Sequence, residues 1–370
     1  RDTRCSRPVQ ASGGGGTARW RYLTQVLPDL GWDVHEVSPG HRGIGRNETA
    51  TSSGEQRAAR LRAGLTGVVG RAIGPVVRRT LKIQPEALAP SSLWGVTGRR
   101  HIEDEVQRLR PDIVLATVPP IAALFAASAV AARTGTPFVV EFRDPWAGNP
   151  YYDAGGSLLG RLEAPALARA ARIVTVTEGC CARIAAVHPD LAARMRLLPN
   201  GFDPDLIRRR SPVPAPDASG RRTVIHAGSL YGDRTAVTLI AAMCRRDLVS
   251  RARLVLLGPV DALSRAAAAR AADAGLEVSI EAPVSWPDAI ERTAAAHVTV
   301  VINSPGTGGD LALPGKLFEA LALGRPVLAL TAPGSETDKL LRSLNAAQGS
   351  VDQHAEAEIA LVLADLLDHP

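Results

Sequence analysis

A chain of 370 residues exceeds one ordinary hydrophobic core, so two domains of similar size are the starting expectation. With 45% hydrophobic and 22% charged residues the composition is globular and leaves little room for long disorder. The net charge of +6 suits phosphate-bearing substrates, but only 4% of residues are aromatic and no RNA or DNA motif accompanies the charge, so nucleic acid is not an expected partner.

Residues 1–12 carry no apolar strand, since Pro8 and the arginines interrupt any run, and no signal-peptide core. The Gly-rich stretch Gly13–Trp20 then opens a helix that runs toward Leu30. Residues 41–100 are irregular. Basic and apolar residues mix from Arg57 to Lys82, which reads either as a solvated amphipathic helix or as one that meets an acceptor or makes weak peripheral contact with a membrane. The apolar run Ile113–Ala132 is divided by Pro119 and Pro120, so a strand followed by a buried helix explains it better than a membrane span.

From Asp112 the order is strand (DIVLAT), helix (121–133), strand (PFVVEF), polar loop, helix (158–171) and strand (RIVTVT). The second half repeats this logic with TVIHAG, ARLVLLG, VSIEAP, VTVVIN and PVLALT as strands between helices. Alternation of this kind predicts an α/β chain of two Rossmann-like domains with parallel sheets. The expected boundaries are 1–200 for the first domain, 201–222 for a linker in a stretch dense in Pro, Asn, Gly and Asp, and 223–370 for the second. The four cysteines, Cys5, Cys180, Cys181 and Cys244, lack metal-ligand spacing and read as free thiols of a cytoplasmic protein.

Four segments carry chemistry. The first places Gly15, Gly16 and Thr17 in a loop before a helix, an arrangement that lets backbone amides approach a phosphate or an acceptor; a tight turn without ligand is the alternative. The second, EFRDPWAGNPYY, puts Arg143 and Asp144 just after an apolar strand, where they serve each other or a polar ligand. The third, HAGSLYGDR, ends a strand in Gly228 and Ser229 and sets Arg234 at a helix start, suited to a diphosphate. The fourth is NSPGTGGDLALPGKLFEALALG. Here Pro314 fits the first position of a helix whose amides near Gly315, Lys316 and Leu317 favour phosphate, and Glu319 can accept ribose hydroxyls. Lysine occurs only at 82, 316 and 339, which singles out Lys316. A salt-bridged helix pair between Lys316 and Glu319 is the alternative.

These pieces, in order GGGGTARWRYL, PDIVLATVPP, PFVVEFRDPWAGNPYY, LLPNGFD, HAGSLYG and LPGKLFEALALGRPVL, resemble the family 4 glycosyltransferases, notably their bacterial surface-polysaccharide branch. The resemblance implies a GT-B fold facing a cleft, a nucleoside-diphosphate sugar donor, no cofactor, no metal, and retention at the anomeric carbon. It matches Glu319 to the second acid of the family's E-x7-E motif, while the first falls at Leu311, a departure. Arg143 or Asp144 falls where many members carry a histidine. Arg143, Asp144, Arg234 and Lys316 are then the expected catalytic residues. Glycan, antibiotic and thiol acceptors all stay open. Two other readings share much of the pattern: a GT-B sugar-nucleotide 2-epimerase and a nucleotide-binding module without chemistry.

Overall fold

The computed structural model describes residues 15–37, 99–149, 157–209, 212, 214–305, 308–346 and 349–369. The chain divides into two compact units, His35–Pro199 and a second made of Asn200–Pro370 with the chain up to Val34. The segment before Gly15, with Cys5, and the stretch Arg57–Lys82 lie outside the described residues.

Helix α1 (Gly15–Val26) comes first and packs beside the helix Gly315–Ala322 of the second unit. The unit His35–Pro199 follows with α2 (Arg99–Leu109), β1 (Val114–Val118), α3 (Ala122–Thr134), β2 (Phe138–Phe142), α4 (Ser157–Leu167), β3 (Arg172–Thr175), α5 (Glu178–Val187) and β4 (Met195–Leu197). Its described strands are parallel in the order β1-β2-β3-β4. Phe138, Val140 and Phe142 alternate along β2 and are completely buried against Leu124 of α3 and Leu159 and Leu167 of α4. Burying each such side chain contributes about 1.5–3 kcal/mol, which fixes the register of the strand. The run that spans Pro119 and Pro120 is thus β1 followed by α3. Among the described residues no helix is long and apolar enough to cross a membrane.

The second unit begins with a short helix α6 (Asp205–Arg208) inside the segment 201–222, which the sequence reads as a linker. Leu206 is buried there against Ile290, Ala322 and Leu323, and Asn200 Nδ2 donates to the Leu313 carbonyl at 2.8 Å. Then come β5 (Arg222–Ala227), α7 (Val237–Met243), α8 (Arg246–Val249), β6 (Ala252–Leu257), α9 (Ala262–Ala271), β7 (Val278–Glu281), α10 (Trp286–Ala294) and β8 (Val298–Ile302). The unit is completed by α11 (Gly315–Ala322), β9 (Val327–Leu330), α12 (Glu336–Ser343), β10 (Ser350–Val351) and α13 (Glu356–Asp368).

These strands form a parallel sheet in the order β10-β9-β8-β5-β6-β7. Every residue of β8 and β9 is buried, as apolar strands covered by helices on both faces must be. The chain winds from β5 outward through β6 and β7, then crosses back to β8 and winds the other way. The order therefore reverses between β5 and β8, and in open α/β sheets ligands bind beyond the carboxyl ends of strands at such a reversal. All eight strands expected from the sequence form; β4 and β10 are additional and too short to show periodicity.

Candidate active site

The carboxyl end of β5 is shaped by two glycines. Gly228 has φ +151°, and a Cβ there would collide with Nζ of Lys316. Gly258, after β6, has φ +128°, and its Cβ would lie 2.8 Å from the Gly228 carbonyl oxygen. The strands can close together at this point, with the Gly228 N–H donating to Leu257 O at 2.8 Å, only because neither position carries a side chain. Ser229, next along, is exposed.

The ammonium that occupies this space comes from α11. Pro314 precedes the helix as its N-cap with φ −66° and ψ 138°, and Gly315 is the first helical residue. The sequence reading put Pro314 one position too far in: its fixed φ suits both places, and its extended ψ decides for the cap. The first-turn amides of Gly315 and Lys316 have no acceptor within the helix, which leaves a partial positive charge there. Leu317 is different. Its side chain is completely buried with Ala320 and Val301 and its N–H donates to Pro314 O at 3.0 Å, so it seats the helix and offers a ligand nothing.

Lys316 Nζ lies 3.4 Å from Nε2 of His226 on β5, and His226 Nδ1 lies 3.0 Å from the Val300 carbonyl on β8. The carbonyl can only accept, so Nδ1 carries the proton and Nε2 turns its lone pair to the ammonium. Burial, then Lys316, holds the His226 pKa well below the usual imidazole value, so the ring is neutral. Burial, then the Arg234 guanidinium, lowers the Lys316 pKa to about 7, with Glu319 opposing.

Glu319 makes no ion pair with Lys316. Its Oε1 instead accepts a hydrogen bond from the indole Nε1 of Trp286 at 2.8 Å. Burial raises the Glu319 pKa, while the Trp286 N–H and the charge of Lys316 oppose it. Trp286 opens α10, where Ser285 caps the helix by accepting from the Asp288 N–H and donating to its carboxylate at 2.7 Å.

Arg234 does not start a helix. It closes a tight turn, its N–H donating to Tyr231 O at 3.1 Å, and its guanidinium carbon sits 5.1 Å from the centre of the Tyr231 ring. Its Nε is buried without a hydrogen-bond partner among the described residues. Gly15, Gly16 and Thr17 also differ from expectation: they form the first turn of α1 and not a loop, and α1 belongs to the same unit as α11.

In the other unit Arg143 follows β2 directly. Its N–H donates to Val118 O at 2.9 Å, its Nη2 donates to Pro119 O, and its Nε is buried without a partner among the described residues. No ion pair joins it to Asp144, which is exposed. The loop is held instead by Trp146, buried with its ring edge-on to Phe125 at 5.9 Å, and by Asn149 Nδ2 donating to Pro145 O at 2.9 Å. Beneath it, buried Glu141 accepts from Thr117 Oγ1 at 3.0 Å. Among the described residues, Cys180, Cys181 and Cys244 form no disulfide. Among the described residues no cluster of His, Cys, Asp and Glu could hold a metal ion.

Three residues of this arrangement escaped the sequence reading. His226 looks like a core histidine at the end of an apolar strand, and only the cross-sheet bond to Val300 shows its orientation. Gly258 had a legible signal, a glycine ending the strand LVLL. Trp286 had half of one, a capped helix start, but its partner lies 33 residues away.

Residues 13–206 match the sequence profile of Glycosyltransferase Family 4, and residues 221–365 match that of Glycosyl transferases group 1. No curated protein matches the chain. Among solved structures, the α,α-trehalose-phosphate synthase (UDP-forming) from Burkholderia xenovorans, in complex with glucose-6-phosphate, is 12% identical with a TM-score of 0.57, over 76% of this chain and 72% of that one. The corresponding synthase from Burkholderia vietnamiensis gives 14% and 0.55 over 76% and 72%. A glycosyltransferase from Rickettsia africae gives 13% and 0.51 over 74% and 71%. At such identities the likeness speaks for the fold, an α/β architecture of the GT-B class.

Proposed function

This chain belongs to glycosyltransferase family 4, and we propose that it moves a sugar, with retention, from a nucleoside-diphosphate sugar bound by its second unit to an acceptor hydroxyl bound by His35–Pro199. The observation that carries the reading is the Lys316 ammonium, half-buried at the helix start of α11 beside Gly228 and facing the charge of Arg234, with no carboxylate among the described residues paired to it. Two cations and two free helix amides held together at the carboxyl end of a strand are unfavourable alone and become favourable around a diphosphate.

In the reaction proposed, the bond between the anomeric carbon and the diphosphate oxygen breaks with its electron pair leaving on the diphosphate. The acceptor oxygen bonds to the same face of the carbon, and its proton passes to the departing phosphate. No carboxylate pair of the glycosidase kind is needed. Lys316, Arg234 and the amides of Gly315 and Lys316 stabilise the developing charge, so the chain itself supplies the work a divalent cation would do. Arg143, whose charge no carboxylate among the described residues matches, serves the acceptor side together with the exposed Asp144.

The test is a panel of UDP-, GDP-, ADP- and dTDP-sugars with glycan, antibiotic and thiol acceptors, followed by NMR of the product's anomeric configuration. Retained configuration in a transfer product supports the reading. Inversion overturns the retaining path, a 2-epimer formed from donor alone replaces transfer with epimerisation, and binding without turnover reduces the chain to a nucleotide-binding module.

A further inference from the structure

We propose that Trp286 is a positioning residue for the nucleoside: its indole N–H fixes one oxygen of the Glu319 carboxylate, leaving the other to hold the ribose hydroxyls. The inference rests on the reading of Glu319 as the ribose-binding acid. A glutamate side chain has three rotatable bonds, and a carboxylate free to turn would lose much of its binding strength to the entropy of ordering. The neighbour best placed to order it, Lys316, is turned to His226. Among the described residues, the Trp286 N–H at 2.8 Å is the hydrogen bond that reaches the Glu319 carboxylate.

Trp286 is well suited to this because it is itself fixed. It stands at the first position of α10 behind the Ser285 cap, and its ring packs on the cluster of Leu206, Ile290, Ala322 and Leu323, of which the last two flank the end of α11. The same apolar cluster thus anchors both donor and acceptor. Indole is also a donor that never accepts and does not ionise near neutral pH, so it stabilises the charged form of the carboxylate at every working pH. That matters because burial of Glu319 favours the protonated acid, which would turn an acceptor of ribose hydroxyls into a competing donor.

The experiment is calorimetry with UDP, GDP and ADP, each beside its 2′,3′-dideoxy counterpart, on the wild-type chain and on Trp286→Phe, which keeps an aromatic ring and removes the N–H. The wild type is expected to prefer the ribose form of its nucleotide by about tenfold or more. In Trp286→Phe the preference should fall several-fold with dideoxy affinity unchanged, and it should decline at a higher pH than in the wild type. In a Glu319→Gln background the same change should have no further effect on the preference. Should Trp286→Phe fail to fold, Trp286→His, which retains a ring N–H, is read in its place and should keep part of the preference. An undiminished preference with an unshifted pH profile in Trp286→Phe overturns the positioning role while the ribose reading stands. A wild type that binds ribose and dideoxy forms alike overturns the ribose reading, and the positioning role falls with it.

Discussion

Lys316 directs its ammonium to Nε2 of His226, 3.4 Å away on a neighbouring strand, and leaves Glu319, three residues along its own helix, to Trp286. Had the helix closed its own ion pair, the charge of Lys316 would be spent. Here it rests on a neutral imidazole, an acceptor too weak to compete with a phosphate oxygen.

The first prediction concerns pH. The Lys316 ammonium has an ordinary pKa of 10.5 in the unfolded chain and one of about 7 in the folded one. Below pH 7 both forms are charged and the folded chain bears the full cost of burial; that cost is relieved as pH rises from 7 to 10.5, so stability contributed by this site rises over that window. Nucleotide diphosphate reverses the balance by favouring the charged form. Binding at pH 8 should take up close to one proton, and affinity should fall as pH climbs through 7, by up to about tenfold per unit. Calorimetry in buffers of different ionisation enthalpy reads the uptake directly. Lys316→Met should abolish it, weaken binding, and stabilise the empty protein by about 1–4 kcal/mol. Proton uptake that persists in this variant would place the titrating group elsewhere.

Glu319→Gln gives the second. The substitution keeps the size and one acceptor oxygen and removes the charge, so nucleotide affinity should drop about ten- to hundredfold, equivalent to about 1.5–3 kcal/mol. The fold should survive, and a 2′,3′-dideoxy nucleotide should bind mutant and wild type alike. A variant that loses thermal stability yet still prefers ribose would make Glu319 a structural residue held by Trp286.

Gly228→Ala should cost about 1–3 kcal/mol of stability through its φ of +151° and, because the new Cβ meets Lys316 Nζ, should also abolish diphosphate binding. Gly275→Ala is the control. It too forces an alanine to a positive φ, +83°, but with open space around it, so only stability should suffer. Equal effects on binding in the two variants would show that strain alone is responsible.

Transfer should withstand EDTA, since Lys316, Arg234 and the α11 amides provide the positive charge. Loss of activity on chelation with recovery on adding Mg²⁺ or Mn²⁺ would show that these groups do not suffice.

The strands were legible because each is a short apolar run that alternates with a helical stretch, and Lys316 stood out in a chain nearly without lysine. What could not be read was how the polar ends meet. The helix pair Lys316–Glu319 is the simplest inference from spacing along one helix, yet each residue finds a better partner on another element, at a separation of 90 residues for His226 and 33 for Trp286. Arg234 was placed on a helix because apolar periodicity begins nearby; the Gly232-containing turn delays α7 to Val237. Arg143 and Asp144, adjacent and opposite in sign, suggest either a mutual ion pair or a shared polar ligand, but consecutive residues at a strand end point apart, and Arg143 turns back to Pro119.

The His226–Val300 bond joins β5 to β8 where the winding of the sheet changes direction, and both strands lie in the middle of the sheet. The group that seats the lysine is therefore tied into what should be the last part of this unit to open. Amide hydrogens of Val224–His226 and Val298–Val300 should exchange only on global unfolding, whereas those of the outer strand β10 should exchange through local fraying. The imidazole that faces Lys316 is thus fixed by the most protected part of the sheet, so its position persists even while the lysine side chain itself moves.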